Sequence, residues 1–195
     1  MATVCGIDEA GRGPLIGSLF MAGAVIDAGQ EEVLKQMGVK DSKLLTPKKR
    51  EQLFEQIKSV LKNYKIVRVG PDEIDDAVNG VGGINLNWLE ANKAVEILNG
   101  LNADSAIIDC PSPNIPAYTK FIQQKLTVKS KLLCAHHADT DYVVVGAASI
   151  LAKVSRDEEI AQLRKKIGVD FGSGYITDPK TKAFVDSYWD KFPEI

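Results

Sequence analysis

Cysteine is scarce in this chain: three of 195 residues, Cys5, Cys110 and Cys134, with no Cys-x-x-Cys pair among them. An odd count without that spacing excludes a disulfide framework and a zinc ribbon, and it fits a reducing, cytoplasmic setting. Long hydrophobic runs are missing too. The longest, Leu15 to Ile26, is about a dozen residues, well short of the ~20 that span a bilayer. Asp8 and Glu9 precede it, so it reads as a strand and not as a signal peptide, and no membrane association is expected. Neither sign of charge dominates: 24 basic against 26 acidic residues leave a formal net charge of -2. That excludes a global basic field, and any contact with nucleic acid must rest on a local patch. Internal repeats, low-complexity tracts and charged tails are also lacking. What remains is 45% hydrophobic and 26% charged, enough to bury its own core. One domain over 1–195 is therefore expected, with a helical C-terminal part from about 141, as a monomer.

The order of elements follows from periodicity and punctuation. Thr3 to Ile7 reads as a strand ending at Asp8-Glu9, followed by the turn Gly11-Arg12-Gly13-Pro14 and a second buried strand from Leu19 to Ile26. Thr46 caps and Pro47 starts a helix, marked by Leu53, Ile57, Val60 and Leu61, and a strand at Lys65 to Val69 follows. Asn79 to Gly83 is a glycine-rich loop. Trp88, Ala91, Val95 and Leu98 mark the buried stripe of the next helix. Ala106 to Ile108 is a fourth strand, Ala117 to Lys125 a short helix and Lys131 to Cys134 a fifth strand. Asp141 to Lys166 reads as one long buried helix, and a last helix runs from about Pro179 to Asp190. Early strands joined tightly and later ones separated by helices predict an α/β fold, with a central mixed five-stranded sheet flanked by helices and additional C-terminal helices.

Asp8-Glu9, Asp109 and Asp139 each fall at or just past a predicted strand end, where loops gather and sites are built. Neighbours in a strand face opposite sides, so Asp8 and Glu9 are expected to converge because the strand breaks there into glycines. A few carboxylates brought in from different strands suit Mg²⁺ or Mn²⁺, and two such ions suit phosphodiester hydrolysis. For any one of these acids, an ordinary turn residue is the competing reading.

Gly11-Arg12-Gly13 fails as a nucleotide-binding loop, because position 16 is Ile16 and no Gly-Lys-Ser/Thr follows. It allows close backbone approach to a polynucleotide and its 2′-hydroxyl, or it is a turn the fold alone requires. Lys40-Asp41-Ser42-Lys43 and Lys48-Lys49-Arg50 concentrate positive charge about a helix N-terminus, as a phosphate grip or a solvated face. Tyr142, Gly146, Ser149, Lys153 and Arg156 form one polar stripe on an otherwise apolar helix, which places Ser149 and Lys153 toward the acids or on a thin solvent-facing strip. His136 and His137 adjoin Asp139 without a second His/Cys cluster, so zinc is not expected. The cysteines read as small buried apolar residues.

Taken together, Gly6-Ile-Asp-Glu-Ala-Gly-Arg-Gly-Pro14, Asp41-Ser-Lys43, Leu86-Asn87, Ile108-Asp-Cys110, His136-His-Ala-Asp139, Ala147-Ala-Ser-Ile-Leu-Ala-Lys153 and Gly172-Ser-Gly-Tyr-Ile-Thr-Asp-Pro179 closely resemble type 2 ribonuclease H, ribonuclease HII, in its archaeal and eukaryotic branch. The match runs in order over nearly the whole chain. The resemblance implies a ribonuclease H-like fold, with Asp8, Glu9, Asp109 and Asp139 as catalytic carboxylates that bind two ions of Mg²⁺ or Mn²⁺. Gly11, Arg12 and Gly13 would read the ribose 2′-hydroxyl, and Tyr175 would stack on the following deoxyribose. Ser42, Lys43, Asn87, Ser149 and Lys153 would complete the substrate surface. The implied reaction cuts 5′ of a ribonucleotide, in RNA/DNA hybrids or at single ribonucleotides in duplex DNA, leaving 3′-hydroxyl and 5′-phosphate ends for replication and repair.

The chain departs from the family pattern at several places. Leu44 stands where many members carry a second lysine, His137 replaces a common lysine, and Ile176 takes a usual proline position. It stops at Phe192-Pro-Glu-Ile195, where relatives usually continue into a basic segment. A sliding clamp is thus a candidate partner without a visible binding tail. Two other functions compete: a non-catalytic RNA/DNA hybrid-binding protein of the same fold, and a different metal nuclease on this architecture.

Overall fold

The computed structural model describes residues 1–39, 45–188 and 190–192. Five strands, β1 (Thr3–Ala10), β2 (Leu19–Asp27), β3 (Asn63–Val69), β4 (Ser105–Asp109) and β5 (Lys131–Ala135), lie in the order β3-β2-β1-β4-β5. β1 pairs antiparallel with β2, and β2 with β3, while β4 runs parallel to β1 and to β5. The expected mixed five-stranded sheet is therefore present. Its tight antiparallel half comes first, and its parallel half needs helical crossovers.

Among the described residues are eight α-helices, α1 (Glu31–Gln36), α2 (Pro47–Val60), α3 (Pro71–Val78), α4 (Leu86–Leu101), α5 (Ile115–Lys125), α6 (Ala138–Asp141), α7 (Val143–Ile167) and α8 (Pro179–Tyr188), and a 3-10 turn at Val81–Gly83. Local chemistry sets their starts. The Thr46 hydroxyl accepts from the Lys49 amide at 3.3 Å with Pro47 at the first helical position, and Asn85 and Asn114 carbonyl oxygens cap α4 and α5 in the same way at 3.1 Å. Pro116 sits in the first turn of α5, where its missing N–H costs nothing, so that helix starts two residues before the expected Ala117.

Alternation along β1 divides the core. Val4 and Ala10 pack with Val144, Ala147, Ala148 and Leu151 of α7, while Cys5 and Ile7 pack with Leu98, Ile97 and Ala94 of α4. A third, smaller cluster of Ile16, Ile160, Phe171 and Phe184 joins the end of α7 to the C-terminal segment. All three cysteines are buried and free, as expected of small apolar residues. No helix of the described residues is long and apolar enough to cross a membrane.

Two sequence expectations are corrected. The run from Asp141 to Lys166 is not one helix: Tyr142 is extended (φ -122°, ψ 111°) and divides the one-turn α6, which carries Asp139, from α7. His137 precedes α6 in the left-handed region at φ 58°, so the chain turns sharply between β5 and α7. Nor does β1 stop before Asp8. It continues to Ala10, with Asp8 and Glu9 paired to Ala22 and Met21 of β2.

Candidate active site

The site forms where the two neighbours of β1 differ in length. β2 accompanies β1 through Ala10, but the parallel pairing with β4 ends at Ile7 and Ile108. Asp8 and Asp109 come next on their strands, just beyond the last residues that pair β1 with β4. Asp8 takes the face of Val4 and Ala10, toward α7; Glu9 takes the opposite face, toward Glu90 of α4. The two carboxylates nevertheless converge, because the space beyond the end of β4 lets side chains from both faces meet over the sheet edge. A broken strand is therefore not what brings them together. Oxygens of Asp8, Glu9 and Asp109 all lie within 4.8 Å of one another.

Hydrogen bonds fix this trio. The Glu9 amide donates to Asp8 Oδ1 at 2.8 Å, and the Ala138 amide donates to Asp109 Oδ1 at 2.7 Å. The second bond ties Asp109 to α6, whose Asp139 is buried, with 5% of its surface exposed. Asp139 stands outside the trio but is sequence-adjacent to the residue that holds Asp109. The His136 ring Nδ1 lies 2.9 Å from the Cys110 carbonyl oxygen, which anchors the end of β5 to the residue after β4.

Burial pushes the Asp8 carboxyl up from 3.8 to about 6, and Asp109 adds to the rise; a hydrogen bond from Ser149, the Glu9 amide and the Lys153 charge pull it back. Glu9 is held well above the usual carboxylate range, by burial first and then by Asp8, Glu90 and Asp109. Such a cluster is electrostatically frustrated without a cation, and one held among these oxygens would relieve it. An all-oxygen donor set of this kind suits a hard divalent cation such as Mg²⁺ or Mn²⁺.

The polar stripe of α7 meets the acids as expected. Ser149 is fully buried, hydrogen-bonds to Asp8, and accepts from Lys153 Nζ at 2.6 Å. From the site a groove runs along α7, bordered by Gly11, Arg12, Arg50, Lys153 and Tyr175. Arg50 lines it, but its guanidinium is paired with Asp157 at 3.1 Å, while Lys48 and Lys49 are exposed. Ser42 and Lys43 lie outside the described residues.

Gly11 and Gly13 both have positive φ, 94° and 86°, as the tight turn requires. The Arg12 side chain turns toward α4, where Nε donates to Glu90 Oε1 at 3.0 Å and Nη2 to Asn87 Oδ1 at 2.6 Å. Asn87, expected on the substrate surface, thus orients Arg12. Glu90 was not foreseen. It is 1% exposed, and burial raises its carboxyl to about 7 even against Arg12. Its signal was legible in principle: Glu90 is an acid in register with the buried Ala94, Ile97 and Leu101 of α4, where an apolar residue belongs.

This geometry has close relatives. The family model described as Ribonuclease HII matches residues 5–195. Ribonuclease HII of Pyrococcus furiosus is 48% identical, over 97% of this chain and 84% of that protein. Among solved structures, ribonuclease H2 from Pyrococcus horikoshii OT3 superposes with a TM-score of 0.90 at 40% identity, covering 99% of this chain and 90% of that one. Ribonuclease HII of Archaeoglobus fulgidus, solved as a complex with PCNA, gives 0.88 at 33% identity over 99% and 91%. With a family model matched over all but its first four residues, and relatives this similar along its whole length, the chain belongs to the ribonuclease HII family of endoribonucleases and has the ribonuclease H-like fold.

Proposed function

We propose that this protein hydrolyses the phosphodiester on the 5′ side of a ribonucleotide, in RNA/DNA hybrids and at single ribonucleotides embedded in duplex DNA, leaving 3′-hydroxyl and 5′-phosphate ends. The observation that carries the reading is the trio of Asp8, Glu9 and Asp109, with oxygens within 4.8 Å of one another at the head of a groove that Gly11, Arg12 and Tyr175 border. Asp139, buried on α6 beside the residue that holds Asp109, is the fourth acid of the set. Two ions of Mg²⁺ or Mn²⁺, when bound, supply water activation and neutralise charge on the scissile phosphate.

The chain's own residues do the rest. Asp8, Glu9, Asp109 and Asp139 hold the cations. Ser149 and Lys153 orient Asp8 and keep its carboxylate ionised. Glu90 and Asn87 draw the Arg12 side chain aside, so that the backbone of Gly11 to Gly13 meets the 2′-hydroxyl, the group that distinguishes RNA from DNA. Tyr175, at the far side of the groove, packs on the next sugar. Lys43 and Ser42 would contact phosphates from the segment before α2. A sliding clamp is included among the partners, because the Archaeoglobus fulgidus relative was solved with PCNA. The setting is replication and repair in the cytoplasm.

A DNA duplex carrying one ribonucleotide tests this directly. Wild type is expected to cut 5′ of the ribonucleotide only with Mg²⁺ or Mn²⁺, and Asp8→Asn to be slower by at least about a hundredfold. Tyr175→Ala should raise KM. Cutting of an all-DNA duplex at the same rate would remove the ribose-reading claim, and wild-type activity in Asp8→Asn would remove the metal site.

A further inference from the structure

The best-buried cation of the groove is Arg156, on the turn of α7 after Lys153, and it is 4% exposed. Its Nη2 donates to the carbonyl oxygen of Ser173 at 3.1 Å and to that of Ile16 at 3.4 Å. Its guanidinium carbon lies 5.0 Å from the centre of the Tyr175 ring, a cation–π contact. One side chain therefore touches two loops that are about 160 residues apart in sequence. The same loops are joined directly: the amides of Leu15 and Ile16 both donate to the Gly174 carbonyl oxygen, at 2.8 and 3.3 Å.

The glycines around this contact have a physical reason. A methyl group on Gly11 would meet the Ser18 carbonyl oxygen at 2.5 Å and the Arg156 side chain at 2.9 Å, and one on Gly174 the Ile16 carbonyl oxygen at 2.7 Å and Arg156 Nη2 at 3.2 Å. Both are at positive φ, 94° and 84°. Backbone carbonyls and the Arg156 side chain together fill the space that side chains at these two positions would take. Burying a guanidinium is costly, and its Nε has no hydrogen-bond partner among the described residues. A cation kept there against that cost, in a planar fork that serves two carbonyls and a ring at once, does what lysine cannot.

We propose that Arg156 is a positioning residue for ribonucleotide recognition. It locks the loop of Gly11 to Gly17 to the loop carrying Tyr175, so that the backbone facing the ribose and the ring facing the next sugar stand one nucleotide step apart. This rests on the substrate reading above and adds the device that sets its spacing.

Arg156→Lys keeps charge and stem but loses the fork, and Arg156→Gln serves if the lysine variant does not fold. On the single-ribonucleotide duplex, either folded variant is expected to raise KM about tenfold and to change kcat less than threefold. In a Tyr175→Ala background the same substitution should add no further loss, because it acts through that ring. Amide hydrogen exchange of the free protein should quicken at 15–17 and 172–175 and stay unchanged in β1 and β4. Unaltered KM, effects that multiply with Tyr175→Ala, or unchanged loop exchange would each overturn the proposal. Should wild type fail to cut at all, the substrate reading is lost, and the exchange measurement alone decides whether the lock exists.

Discussion

At Gly6, two residues before the first acid, an added methyl would overlap the backbone of Val144 and Val145. The strand and α7 touch there main chain to main chain, and that close approach brings Ser149 within reach of Asp8. Gly6→Ala should therefore cost stability out of proportion to its size, about 3 kcal/mol or more, by overpacking against a helix that cannot yield. Urea denaturation measures this, and an unchanged midpoint would show that α7 slides freely on the sheet. Single residues were legible where their type was unusual for their place. Asp8, Glu9 and Asp109 stood out at strand ends, and the trio they form agrees with that reading. Asn87 and Glu90 were legible as residue types, but their task of turning Arg12 aside was not, because the partners are at least 75 positions apart.

Among the elements, α7 does most to shape the site. Gly146, Ala147, Ala148 and Ala152 let its first half lie close on β1 and β2, and its polar stripe passes from Ser149 to Lys153 to Arg156 along the groove. Ser149→Ala removes a hydrogen bond to a buried carboxylate, of the kind worth about 1.5–3 kcal/mol. Because that bond lowers the Asp8 pKa, its loss should move the acid limb of the pH–rate profile upward by about one pH unit or more. A profile that keeps its acid limb would mean that Ser149 serves packing alone. The periodicity of α7 was readable from sequence, yet its separation from α6 was not. Nothing in residues 138–146 forbids a continuous helix, and the extended Tyr142 separates the turn whose Ala138 amide holds Asp109 from the helix that packs on the sheet.

For the molecule as a whole, the buried acids couple stability to pH and to cations. Asp8 titrates at about 6 in the folded protein instead of 3.8, and Glu90 at about 7 instead of 4.5. Between about pH 4 and pH 7 the unfolded chain has already released protons that the folded one retains. The folded state binds more protons across this window, so these groups make the cation-free protein less stable as pH rises through it, and below about pH 4 they contribute nothing. A cation competes with those protons, so millimolar Mn²⁺ should raise Tm by about 5 °C or more at pH 7.5 and by much less at pH 5. Thermal melts at the two pH values check this, and equal shifts would place the ion elsewhere.

The sequence by itself determined the order of the five strands and of the longer helices, the Thr46 cap of α2, the buried free cysteines and the candidate acids, since all of these depend on neighbours within a few positions; the short α1 and α3, like the separate α6, it did not announce. Only the tertiary structure decided how adjacent residues of a continuous strand converge, which side chains hold Arg12, and that Arg156 joins two distant loops. Those outcomes depend on where β4 ends beside β1 and on how closely α7 can lie on the sheet. Contacts between segments a hundred residues apart have no periodicity to announce them.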